Sequence, residues 1–130
     1  MPRGARLLPV LLAVAAVSGC NDDPDPVPVE NRTIGLRLDE YRIMPQAVSA
    51  PAGQLRLIIR NLGLLPHNVA VETIPAIGSE DPVERIALTG TVHGTYRSEI
   101  EFVVEPGTYR LVCTIQNHDD LGQVGTLVIE

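Results

Sequence analysis

The sequence predicts an all-β domain, a Greek-key β-sandwich of seven to eight strands with one long irregular connection. From about Thr33 onward, Ile, Leu and Val alternate with polar residues at period two, which places successive side chains on opposite faces of a sheet. Turn signals such as Pro51-Ala52-Gly53 and Glu105-Pro106-Gly107 punctuate these runs at short intervals, as in small sandwiches and barrels. The stretch from Glu72 to Thr91 lacks the alternation and supplies the long crossing that a Greek key needs.

The 130 residues allow one such domain. Residues 1–19 are read as an export signal outside it: Arg3 and Arg6 precede an apolar run from Leu7 to Val17 and then small residues. That run is shorter than the roughly 20 residues needed to span a bilayer. Its end, Val17-Ser18-Gly19-Cys20, resembles the lipobox of bacterial lipoproteins, which implies cleavage before Cys20 and lipid on its thiol. The mature chain is then expected in the periplasm or another extracytoplasmic space, anchored to a membrane through Cys20. Residues 20–31, acidic and rich in proline, read as an extended tether. The sandwich takes residues 32–130.

Within it, Ile34, Leu36 and Leu38 point to one face, and Leu55, Leu57 and Ile59 repeat the pattern after the Pro51-Ala52-Gly53 turn. His67 to Glu72 forms another strand, and Ser98 to Val104 another, with Ile100 and Phe102 inward and Glu99 and Glu101 outward. Thr108 to Ile115 follows the Pro106-Gly107 turn, and Gly125 to Glu130 closes the sheet. One short helix is expected around Val83 to Leu88 inside the long connection.

Charge and cysteine count narrow the function. Removing the leader leaves eight Arg, no Lys and sixteen Asp and Glu, a net charge of -8, which argues against nucleic acid as a partner. A basic soluble protein, steered by long-range attraction, suits this charge better. With Cys20 lipidated, Cys113 has no disulfide partner, so the exported domain relies on its core, or on a core and a metal.

Strand parity then gathers the chemistry. Tyr109, Leu111 and Cys113 share a face opposite Arg110, Val112 and Thr114, so Cys113 faces inward near the end of its strand. His67, Val69 and Val71 likewise share the inner face, and His118 follows Cys113 across a four-residue loop. One thiolate and two imidazoles make the trigonal ligand set of a blue-copper site, whose weak axial ligand is methionine, glutamine or a backbone oxygen. Taken singly, each residue has a plainer role: a core cysteine, a hydrogen-bonded core histidine, an exposed loop histidine. Their order and shared inward parity favour the metal.

These residues lie in segments that resemble the cupredoxins of the plastocyanin and azurin type over about the last hundred residues. His67-Asn68, Pro106-Gly107-Thr108-Tyr109 leading to Cys113, Cys113 with His118 five residues on, and Gly122-Gln123-Val124-Gly125-Thr126-Leu127 carry the likeness. The resemblance implies a cupredoxin-type sandwich, one copper ion held by His67, Cys113 and His118, and electron transfer without catalysis. It also implies that Asn68 ties its strand to the ligand loop near Thr114, that backbone N–H groups bond the Cys113 sulfur, and that the Pro66 carbonyl is a distant axial oxygen. Gln123 departs from the usual methionine; stellacyanin-like members place glutamine there, so Gln123 is the expected axial donor.

The leading expectation is a monomeric one-electron carrier on the outer face of a membrane, cycling Cu(II) and Cu(I) with a redox protein such as a c-type cytochrome or an oxidase. No small-molecule substrate is expected. The alternatives are a copper protein for delivery, storage or sensing, and an interaction module without metal. Leu62, Leu64 and Leu65 are read either as an apolar collar around His118 or as a cap on the sandwich, and Asp119 and Asp120 make that face acidic. His93 is expected at the surface, and Met44 in the core far from the ligand loop.

Overall fold

The computed structural model describes Met1 and residues 23–130. The expected leader and the lipidation site Cys20 lie outside the described residues. Ten strands are present among those described: β1 (Val27–Pro28), β2 (Thr33–Asp39), β3 (Arg42–Met44), β4 (Ala47–Ala50), β5 (Gly53–Asn61), β6 (Ala70–Thr73), β7 (Arg85–Leu88), β8 (Arg97–Val104), β9 (Gly107–Val112) and β10 (Val124–Ile129). They form two sheets, ordered β1-β4-β10-β9-β6-β7 and β3-β2-β5-β8. Ten replaces the expected seven to eight because several strands have only two to four residues, too short for alternation to register.

Inward parity is as the sequence requires. Ile34, Leu36 and Leu38 of β2 and Leu55, Leu57 and Ile59 of β5 are buried in one core with Val48, Val71, Leu111, Leu127 and Ile129 from the other sheet and with Val69 just before β6. Each such side chain contributes about 1.5–3 kcal/mol of burial, so this layer is the main stabilising term. β2 and β5 run parallel, as do β4 and β10, so crossovers between the sheets are obligatory.

Residues 20–31, read as tether, contribute structure near their end: β1 pairs with β4 and the Val29 N–H bonds Ser49 O at 2.9 Å. The helix expected around Val83 to Leu88 is a strand instead. β7 pairs antiparallel with β6, and Arg85 holds the Glu72 carboxylate at 2.7 Å. A four-residue segment such as Arg85-Ile86-Ala87-Leu88 carries no period of its own, and the open edge of β6 decides its conformation.

Met44 is half-buried rather than core, because Ile43 takes the inward position of β3. Nor is it remote from the ligand loop, since it lines a cleft with Gly122 and Val124. Gly125 has a specific reason. The Gln46 carbonyl reaches the Thr126 N–H at 2.8 Å, and a Cβ on residue 125 would lie 2.6 Å from that oxygen. Gly125→Ala should therefore cost about 1–3 kcal/mol by overpacking, read as a lower urea midpoint; an unchanged midpoint would contradict the tight β4–β10 contact.

Candidate metal centre

His67 enters the site just before β6, fixed by a two-way backbone bridge with Val92 at 3.1 and 2.8 Å. Cys113 is the first residue beyond β9, and the following loop folds back through the His118 N–H to Ile115 O bond at 3.1 Å. Gln123 closes the loop: its N–H bonds His118 O at 3.0 Å and its carbonyl accepts the Cys113 N–H at 3.1 Å. Three of the four predicted ligands are thus joined by main-chain bonds before any metal is considered.

The side chains converge. One ligand atom from each of His67, Cys113 and His118 lies within 4.8 Å of the others. Cys113 Sγ is 3.6 Å from His118 Nδ1, and the two imidazole centroids are 5.1 Å apart. All three residues are buried, His118 being 4 % exposed, so the exposed-loop reading of His118 does not hold. His67 Nδ1 and Gln123 Oε1 are buried without hydrogen-bond partners. Orphaned buried polar atoms cost free energy unless something satisfies them, and a cation at the centre of the cluster would do so. The residues present therefore fit a single transition-metal ion.

Gln123 is aimed by its own amide. Its Nε2 donates to two carbonyls, Asp39 O at 2.8 Å and Arg42 O at 3.2 Å, which only the nitrogen end of the amide can do. The oxygen is left facing the interior. Both carbonyls belong to the β2–β3 hairpin, whose turn also supplies Tyr41, edge-on to His118 at 5.3 Å, and Glu40, whose Oε1 is 3.7 Å from His67 Nε2.

Sequence reasoning missed this turn. Its signal was available as Asp39-Glu40-Tyr41-Arg42, polar residues between two apolar runs, but a turn is not a ligand pattern. Tyr41 holds φ 66°, an uncommon conformation for a bulky side chain, while packed on the imidazole.

Asn68 performs the linking role expected of it. Its Nδ2 donates to Thr114 Oγ1 at 2.9 Å and its Oδ1 accepts the Thr114 N–H at 2.8 Å. Asn68→Ala should cost about 1–3 kcal/mol by stranding these partners, with a lower thermal midpoint in the metal-free protein; unchanged stability would show the link to be dispensable.

The expected backbone bonds to the Cys113 sulfur are not formed among the described residues. The Thr114 N–H is committed to Asn68 and the His118 N–H to Ile115. Pro66 is half-buried immediately before His67, and His93 is exposed as expected. Leu62, Leu64 and Leu65 are exposed on the loop leading to His67, Asp119 pairs with Arg110 at 3.4 Å, and Asp120 is exposed.

Burial, and then the neighbouring His118, lower the pKa of His67 from its ordinary 6.5, against weaker opposing effects of Gln123 and Glu40. The imidazole is neutral at pH 7 and ready to coordinate. Hydrogen bonds from Leu65, and then Leu64, outweigh desolvation and lower Glu40 from 4.5. Both shifts act in one direction. Below pH 6.5 the unfolded chain takes up a proton at His67 before the folded one does, and below 4.5 the same holds at Glu40. The metal-free domain should therefore lose stability as pH falls from 7 to 4, measured as a declining urea midpoint; a flat or rising midpoint would contradict it.

A surface cleft lined by Asp23 to Pro26, Gln46, Ala47 and Val124 to Thr126 does not include the three buried candidate ligands. The two sheets make a β-sandwich that carries the His-Cys-His cluster beside the loop after β9, a cupredoxin-like fold. No protein-family model matches the sequence, and no curated protein does. Solved structures do match. Auracyanin from the photosynthetic bacterium Roseiflexus castenholzii superposes with TM-score 0.66 at 19% identity, covering 78% of this chain and 99% of that one. Auracyanin A, a "blue" copper protein from the green thermophilic photosynthetic bacterium Chloroflexus aurantiacus, gives TM-score 0.65 at 20% identity, covering 79% and 99%. An azurin from Methylomonas sp. strain J gives 0.62 at 15%, covering 78% and 99%. At these identities the likeness establishes the fold.

Proposed function

We propose that this chain is a type 1 copper electron carrier, exported and anchored through lipid on Cys20 to the outer face of a membrane. The observation that carries the copper reading is the buried His67, Cys113 and His118 cluster, with Gln123 Oε1 unpaired beside it. His67, Cys113 and His118 would hold the ion, and Gln123 would offer the axial oxygen. Bound copper supplies one-electron redox chemistry, which a soft thiolate and two imidazoles support in both oxidation states.

The protein's own part is to hold these groups still. Main-chain bonds join Cys113, Gln123 and His118, Asn68 fastens the loop to the strand region before β6, and the hairpin carbonyls of Asp39 and Arg42 orient the Gln123 amide. A site that is already assembled reorganises little when an electron arrives or leaves. His118, slightly exposed beneath Tyr41, is the route to a partner such as a c-type cytochrome or an oxidase, and Leu62, Leu64 and Leu65 offer apolar surface nearby.

The test is to mix copper-loaded protein in the cupric state with a reduced c-type cytochrome and follow both spectra. Rapid cytochrome oxidation with copper retained is the expected result. Transfer of copper to an apo acceptor instead would favour delivery, and a protein that takes up no copper would favour a metal-free interaction module.

A further inference from the structure

We propose that Glu40 is a positioning residue for the metal centre, a carboxylate that steadies the His67 imidazole and fastens the exposed leucine loop beside it. This inference rests on the copper reading above and assigns a role to a residue outside the ligand set.

Several contacts of the Glu40 carboxylate and its turn converge on it. Glu40 Oε1 accepts the N–H groups of Leu64 at 2.7 Å and Leu65 at 2.9 Å, and the same oxygen faces His67 Nε2 at 3.7 Å. An imidazole that coordinates through one nitrogen needs its other N–H held, and His67 Nε2 is buried with no hydrogen bond of its own. At 3.7 Å the carboxylate acts on it through charge, beyond the range of a direct hydrogen bond.

Position 63 is shaped to admit the carboxylate. A Cβ on Gly63 would lie 2.2 Å from Glu40 Oε1 and 2.7 Å from both Cδ and Oε2, so any other residue there would push the acid away from the loop.

The turn that carries Glu40 is committed to the site on every side: Tyr41 packs on His118, and the flanking Asp39 and Arg42 carbonyls bind Gln123. One hairpin turn therefore touches His67, His118 and Gln123. Through Glu40 it also reaches Leu64, which is 93% exposed, linking the surface a partner would press upon to a buried ligand.

A negative charge beside a ligand favours the more highly charged metal state. The test compares wild type with Glu40→Gln, which keeps an oxygen for the loop amides but removes the charge, and with Glu40→Ala, which removes both. For the copper-loaded proteins the readout is the reduction potential; for the metal-free proteins it is hydrogen exchange at the Leu64 and Leu65 amides. We expect the potential to rise in both variants, by about 59 mV if the Cu(II)/Cu(I) affinity ratio changes tenfold. Amide protection should fall about tenfold in Glu40→Ala, the scale of one lost charge-assisted bond, and be retained in Glu40→Gln. A wild-type protein without an intense visible band overturns the copper reading and this role together. A normal wild-type band with unchanged potentials in both variants, or unchanged protection in Glu40→Ala, overturns the role of Glu40 alone.

Discussion

Replacing Cys113 by Ser should abolish the intense visible absorption of the copper-loaded protein while leaving the sandwich folded. The band expected of such a site is a transfer of charge from thiolate sulfur to Cu(II), and a serine hydroxyl offers neither the soft sulfur nor an anion at neutral pH. Cys113 is fully buried just beyond β9 and its backbone N–H bonds Gln123 O, so the substitution changes one atom and leaves that bond in place. Copper affinity should fall by more than the roughly 10–100-fold typical of changes outside the ligand set, most of all for Cu(I). Absorption spectra and competition with a Cu(I) chelator measure both effects, with circular dichroism as the control for folding. A variant that keeps the wild-type band would mean that sulfur is not the ligand.

Gln123→Met should raise the reduction potential and weaken the metal-free fold. An amide oxygen is a harder donor than a thioether and favours Cu(II), so copper in the wild type should be the weaker oxidant. Each tenfold change in relative affinity for the two states is worth about 59 mV in a one-electron couple, and we expect a rise of at least that size. The cost in stability has a separate origin. Met cannot donate to Asp39 O and Arg42 O, which lose partners worth on the order of 1 kcal/mol. Voltammetry and urea melts separate the two effects. An equal or lower potential in the variant would remove Gln123 from the axial position, whatever the melts show.

Much of the centre was legible before the fold was. Period-two alternation turns one buried residue into a prediction for every second neighbour, which is how Cys113 could be placed inward from Leu111 and His67 from Val69. The Asn68–Thr114 link followed from the family resemblance, not from spacing, since the two residues are far apart in the chain. Where runs were short the same reasoning gave out: β7 looked like a helix, and Met44 looked remote from a loop it adjoins. A run of four residues has no measurable period, and distance along the chain does not report distance across a sandwich.

By itself the sequence determined the all-β class, the inward faces of the strands and the identity of the three strongest ligand candidates, because these depend on local alternation and on scarce soft or basic side chains. Only the tertiary structure decided what surrounds them. The 39–42 turn reaches His67, His118 and Gln123 from a sequence distance at which no local pattern operates, and it does so because the β2–β3 hairpin lies at the same end of the sandwich as the ligand loop. Packing of the two sheets brought the Glu40 carboxylate, the Tyr41 ring and two backbone carbonyls to that end. The two carbonyls orient Gln123, while Glu40 faces His67 and Tyr41 packs on His118.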